Sequence, residues 1–172
     1  GIEGADPILW PEQVHQWWEI GVRVISLSHY GVSTYSHGTA TGTQGGLFPP
    51  AKHLLKIIDS IGMILGLTHT SDASIREALE IYSGPVLASH QNCRALVPGE
   101  RQFPDEIINS VIERGGVIGT SLDAFMLYRK GIDWIDIPDR RETFAREDVT
   151  LDDVADHIDY VCQLAGNSEH AA

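Results

Sequence analysis

Short apolar runs alternate with longer amphipathic stretches along most of this chain, and that alternation narrows its possible folds more than any other feature. The runs RVISLS (23–28), MILGLT (63–68), PVLAS (85–89) and VIGT (117–120) read as strands. They are mostly apolar, as expected of strands covered on both faces. Residues 11–20, 50–61, 71–82, 104–114 and 150–164 read as helices. Pro11 opens the first. Leu54, Leu55, Ile57, Ile58 and Ile61 give the second an apolar side. Ser71 or Asp72 caps the third, although Ser74 in place of an acid leaves the capping box incomplete. Gly115-Gly116 ends the fourth, and Thr150 caps the fifth with Asp153 at its third position. A β-loop-α repeat of this kind suits right-handed crossovers and a parallel sheet, so the fold class is α/β. A barrel and an open doubly wound sheet both fit. No GxGxxG follows a strand, so the dinucleotide-binding version has no support.

At 172 residues, the chain suits one domain or part of a larger one. Its net charge of -12, from 24 acidic against 12 basic residues, argues against a nucleic-acid partner and against an anionic membrane surface. No stretch approaches the ~20 apolar residues of a membrane span. Cys93 and Cys162 make neither a CxxC pair nor a disulfide framework, and are expected to be reduced and structural. The chain opens on Gly1 rather than Met, so its natural N-terminus is expected to lie upstream.

Three of the strands close in the same way: Ser28-His29, Thr68-His69 and Ser89-His90. In a (β/α)8 barrel such ends converge on one face. Neighbouring strands lie ~4.8 Å apart, so imidazoles at their tips can share a metal ion. Neutral imidazole suits zinc, and carboxylates complete the charge balance. Glu3, in Gly1-Ile2-Glu3-Gly4, sits at what reads as the tail of another strand. A carboxylate there can bridge two metals ~3.5–4 Å apart. A lone His elsewhere is more often a hydrogen-bonded structural residue. That reading goes to His15, His37, His53, His157 and His170, the last in a tail expected to fray.

The segments GIEG (1–4), GVRVISLSH (21–29), IGMILGLTH (61–69), GPVLASHQNCRAL (84–96), RQFPDE (101–106), RGGVIG (114–119) and ADHIDYVCQLAG (155–166) occur in a specific order and spacing. Together they resemble the membrane (renal) dipeptidase family. The resemblance implies a (β/α)8 TIM-type barrel with a binuclear zinc site that hydrolyses dipeptides, often with tolerance for a D-residue at the C-terminal position. It implies that Glu3 bridges the two zincs and that His69 and His90 are imidazole ligands of one of them. It implies that His29 contacts substrate and helps stabilise the tetrahedral intermediate. Arg101 would bind the substrate carboxylate, which a guanidinium fork holds bidentately. Arg94 is expected instead to be satisfied by loop carbonyls, and Asp105 and Glu106 to serve a helix dipole.

No strand run of these 172 residues carries the family's HxD ligand pair, the one HxD string being His157-Ile158-Asp159 within an expected helix, and no DxDG occurs. The expectation is a single partial barrel domain over 1–172, truncated at both ends, with four or five β/α units and one zinc or none. By itself it is expected to be inactive or a weak one-zinc binder. Residues 124–148 are expected to form an insertion over the active-site face. Gly66 stands where the family usually has Asp, and YGVSTYSHG (30–38) lacks the family's Asn, so substrate preference is not inherited. Expected partners are a dipeptide substrate and a second copy in a homodimer, with no nucleic acid and no membrane contact from this segment. The compartment is expected to be cytoplasmic, and the protein soluble, if the source is bacterial. Two other readings compete: a related metal-dependent amidohydrolase acting on another amide or a lactone, and a non-catalytic homologue that binds a ligand.

Overall fold

A computed structural model describes residues 1–39, 45–130 and 148–172. The chain divides into two compact units, Gly1–Ala88 and Ser89–Ala172.

The first unit is built on three parallel strands, β1 (Val24–Ser26), β2 (Ile64–Gly66) and β3 (Val86–Ala88). Val24 faces Ile64 across the first pair, and Leu65 faces Val86 across the second. The N-terminal residues add a further parallel partner to β1, with Ile2 bridged to Ile25. This is the strand tail read from the GIEG segment. The strands are shorter than the apolar runs. Leu27 and Leu67 stay buried beyond the last paired residues, because the backbone starts to turn there while its side chains still fill the core.

Each helix forms where apolar spacing and end signals agree. A 3-10 turn over Pro11–Gln13 runs into α1 (Val14–Glu19), so the helix expected over 11–20 is split. Two prolines start α2 (Pro49–Ile61), and Gly62 ends it at φ 74°, a left-handed conformation that costs glycine little. The α2 residues Ala51, Leu54, Leu55 and Ile58 are buried, at the i, i+3, i+4, i+7 spacing of one helix face. Ser71 caps α3 (Asp72–Ile81) by accepting from the Ser74 N–H at 3.2 Å. Burying each Leu or Ile of this core contributes about 1.5–3 kcal/mol.

The second unit contains α4 (Asp105–Glu113), β4 (Val117–Ile118), a 3-10 turn over Ala124–Met126 and α5 (Leu151–Ala165). Thr150 and Asp153 complete the capping box expected at the start of α5. The last residues do not fray. Ile118 N–H donates to His170 O at 2.8 Å, and Ala172 N–H donates back to Ile118 O at 3.0 Å. Strand-like pairing with β4 therefore holds a tail whose composition suggested mobility. Of the insertion expected over 124–148, residues 131–147 lie outside the described residues. No helix among the described residues is long and apolar enough to cross a membrane.

His157 holds this unit from inside α5. Its Nδ1 accepts the Cys93 backbone N–H at 3.0 Å, which requires a neutral ring. Burial, with the nearby Arg129 charge, pushes its pKa down from 6.5 to about 4. The unfolded chain therefore binds the extra proton first as pH falls. Stability from the neutral ring is complete above about 6.5 and is lost progressively as pH drops toward 4. We predict that unfolding free energy falls by roughly 3 kcal/mol across that window on account of this group. Urea titrations at several pH values should show that loss shrinking in His157→Gln. An unchanged pH slope in the variant would contradict the assignment.

Candidate metal centre

Glu3, His29 and His69 come together at the ends of three adjacent parallel segments in the first unit. One ligand atom from each lies within 4.8 Å of the other two. Glu3 Oε1 is 3.0 Å from His69 Nε2, and Glu3 Oε2 is 3.8 Å from His29 Nε2. The two imidazole centroids are 4.2 Å apart. Two donors at ordinary zinc distances and a tetrahedral angle stand ~3.3 Å from each other, so these separations fit a shared cation. The donor set of one carboxylate and two imidazoles also fits zinc.

The sequence produces this geometry through its backbone. β1 and β2 are in register at Ser26 and Gly66, and the histidine follows three residues later in both. His69 is the only non-glycine residue among those described with positive φ, at 67°. Left-handed backbone disfavours a side chain, and residues held in it cluster at functional sites. The His69 side chain is 3% exposed, whereas His29 and Glu3 are nearly half exposed. His69 is therefore fixed by packing, and the other two face solvent.

The loop after β1 supports both histidines. Thr39 N–H donates to His69 O at 2.8 Å, and Gly31 N–H donates to Thr39 O at 3.1 Å. Asp6 pins the same loop by accepting from Ser33 Oγ at 2.9 Å and Thr34 N–H at 2.8 Å. Partial burial raises the Asp6 pKa, but these hydrogen bonds outweigh it and hold the carboxyl below its ordinary value. Asp6, Gly38 and Tyr30 were not singled out from the sequence. Their spacing carries no recognisable signal, since each acts through a partner distant in the chain.

Gly66 has a structural explanation. A Cβ there would stand 2.4 Å from Ser26 Oγ, so the hydroxyl of the facing strand fills the space that a side chain would need.

His90 and Arg101 lie in the second unit. Arg101 is 1% exposed; its Nη1 donates to Gln91 Oε1 at 2.6 Å and its Nη2 to His90 O at 3.1 Å. Gln91 Nε2 donates in return to Arg101 O at 2.6 Å. His90 Nδ1 is 3.0 Å from Ser89 Oγ. If Nδ1 carries the proton and donates to Ser89, the lone pair is on Nε2, the tautomer a metal ligand needs. Arg94 is held by the carbonyls of Gly99, Glu100 and Gln102, as expected for a loop residue. Asp105 opens α4 as expected, and its carboxylate also accepts the Tyr160 hydroxyl at 2.9 Å. Among the other histidines, His53 contacts Glu12 at 2.7 Å, His37 stacks on Phe48 and His170 Nδ1 lies 2.8 Å from Gly116 O. Both cysteines are unpaired thiols, and burial pushes Cys93 up to about 12.

The sequence matches the family model described as "Membrane dipeptidase (Peptidase family M19)" over residues 1–172. It is 31% identical over 169 residues to the dipeptidase aclJ of Aspergillus oryzae, covering 96% of this chain and 37% of that protein. It is 32% identical over 169 residues to the dipeptidase verJ of Clonostachys rogersoniana, covering 96% of this chain and 39% of that one. The chain thus spans about two fifths of the length of these relatives. Among solved structures, the probable dipeptidase PvdM from Pseudomonas aeruginosa superposes with a TM-score of 0.81 at 20% identity, over 100% of this chain and 55% of that one. A metallo peptidase from Rhodobacter sphaeroides, solved with a phosphinate mimic of L-Ala-D-Ala, gives 0.79 at 18% identity, over 99% and 47%. These likenesses show the fold, an α/β arrangement that corresponds to about half of a TIM-type barrel.

Gly38 is the tightest point of the supporting loop. A Cβ at this position would lie 2.0 Å from His29 O and 2.7 Å from Gly31 O, both backbone atoms that cannot rotate away. Gly38→Ala is expected to cost about 1–3 kcal/mol of stability by overpacking. Denaturant unfolding measures it, and a neutral effect would show that the loop is not closed on His29.

Proposed function

The chain belongs to the membrane dipeptidase family, Peptidase family M19, and from that premise we propose that residues 1–172 carry the middle of a zinc site for dipeptide hydrolysis. The convergence of Glu3, His29 and His69 within 4.8 Å carries this reading.

Distance and burial separate the roles. Glu3 and His69 are the closer pair at 3.0 Å, and His69 is immobilised by packing, so these two hold the ion. In the family pattern Glu3 and His69 would hold zinc, and His90 is assigned as a further imidazole ligand by its place in GPVLASHQNCRAL. Zinc supplies Lewis acidity toward the scissile carbonyl and lowers the pKa of an attacking water. His29 stands further off at 3.8 Å and is half exposed. That exposure supports a role for His29 in touching substrate and in donating a hydrogen bond to a developing oxyanion. Glu3 also supplies the negative charge that offsets a dication. Arg101 is assigned to the substrate carboxylate by its place in the RQFPDE motif. Its buried guanidinium, fixed by Gln91 and the His90 carbonyl, is pre-oriented for a bidentate partner.

Two measurements test this reading. Zinc per chain after dialysis is expected to approach one for residues 1–172, with zinc affinity at least ~10-fold weaker in Glu3→Gln and His69→Ala. Zinc retained by both variants would refute the site. In a longer form that includes HxD and DxDG ligands, Arg101→Met should cut kcat/KM for dipeptides by ~100-fold or more, the loss of a charged hydrogen-bonded pair. A small effect on dipeptides, with good turnover of amides or lactones lacking a carboxylate, would favour a different amidohydrolase activity.

A further inference from the structure

Tyr30 follows His29 directly, and its ring lies against both imidazoles of the site. The centroid distances are 4.7 Å to His29 and 4.4 Å to His69, with interplanar angles of 76° and 78°. Both contacts are edge-to-face, the arrangement that aromatic quadrupoles favour. The backbone fixes the ring independently of these contacts. Tyr30 is bridged to Thr39, and Thr39 N–H donates to His69 O at 2.8 Å. The residue is 38% exposed, so it is not needed to fill the core.

We propose that Tyr30 is a positioning residue that sets the orientation of the His69 ring for metal binding and of the His29 ring beside it. The inference rests on the metal site proposed above. The tyrosine ring thus packs edge-to-face against both imidazoles. Metal binding draws electron density from an imidazole, which strengthens its attraction to an electron-rich ring. Groups that orient metal ligands from outside the coordination sphere typically control affinity by 10–100-fold. The aromatic ring does this work, and the phenol hydroxyl is not required.

The test is a Co2+ titration of the chain and its Tyr30→Phe and Tyr30→Leu variants, with d–d absorption recorded at each point and folding checked by thermal unfolding. Phe should bind within about threefold of wild type with the same band shape. Leu should bind at least ~10-fold more weakly with an altered band. Leu binding like wild type would overturn the inference, as would Phe losing as much as Leu. A folded wild type that takes up no Co2+ would overturn the metal reading itself, and this inference with it. Should Leu fail to fold, proton NMR of the Co2+-loaded wild type decides instead. Strong paramagnetic shifts of tyrosine ring signals that vanish in Tyr30→Phe support the role, and unshifted signals overturn it.

Discussion

Ile2 N–H donates to Val24 O at 2.9 Å, and Ser26 N–H donates to Ile2 O at 3.1 Å. These two hydrogen bonds set the register of the N-terminal segment on β1, and the rest of the first unit's site depends on that register. β1 is paired in turn with β2 from Val24↔Ile64 to Ser26↔Gly66. Side chains alternate between faces, so a slip of one residue would turn Glu3 away from the histidines. The carboxylate and the imidazoles meet because three parallel segments end level with one another. Elements on one unit supply all three groups, and the supporting loop 30–39 ties the backbone behind them.

Much of this was readable from the residues. The hydroxyl-His endings marked His29 and His69, because a buried strand becomes polar only where its chain leaves the core. Apolar spacing located α2 through α5 closely, and the Thr150–Asp153 pair and the loop carbonyls around Arg94 were legible from local chemistry. Long-range pairing was not. Nothing near His170 announces that β4 accepts it as a neighbour, since the partner is more than fifty residues away. The positive φ of His69 is likewise invisible, because it is imposed by the turn that returns Thr70 N–H to Leu67 O at 3.2 Å. Tyr30 escaped for the same reason: its neighbours include His69, 39 positions on.

The two departures from the family pattern also become physical statements. At position 66 the facing Ser26 hydroxyl takes the space, so the sheet stays filled without a side chain there. Beyond His29, in the segment that lacks the family's Asn, the Tyr30 ring lies 4.7 Å from that of His29 and 4.4 Å from that of His69. Arg101 is buried in the second unit, where Gln91 Oε1 accepts from its Nη1 and His90 O from its Nη2.

Everything proposed for the site turns on Glu3 and His69 being ligands of one ion. X-ray absorption at the zinc edge of the stoichiometrically loaded chain addresses it directly. Shared ligation should give a first shell of nitrogen and oxygen at ~2.0–2.1 Å, with imidazole outer-shell scattering that weakens in His69→Ala. A sulfur shell at ~2.3 Å, or imidazole scattering unchanged in the variant, would contradict it.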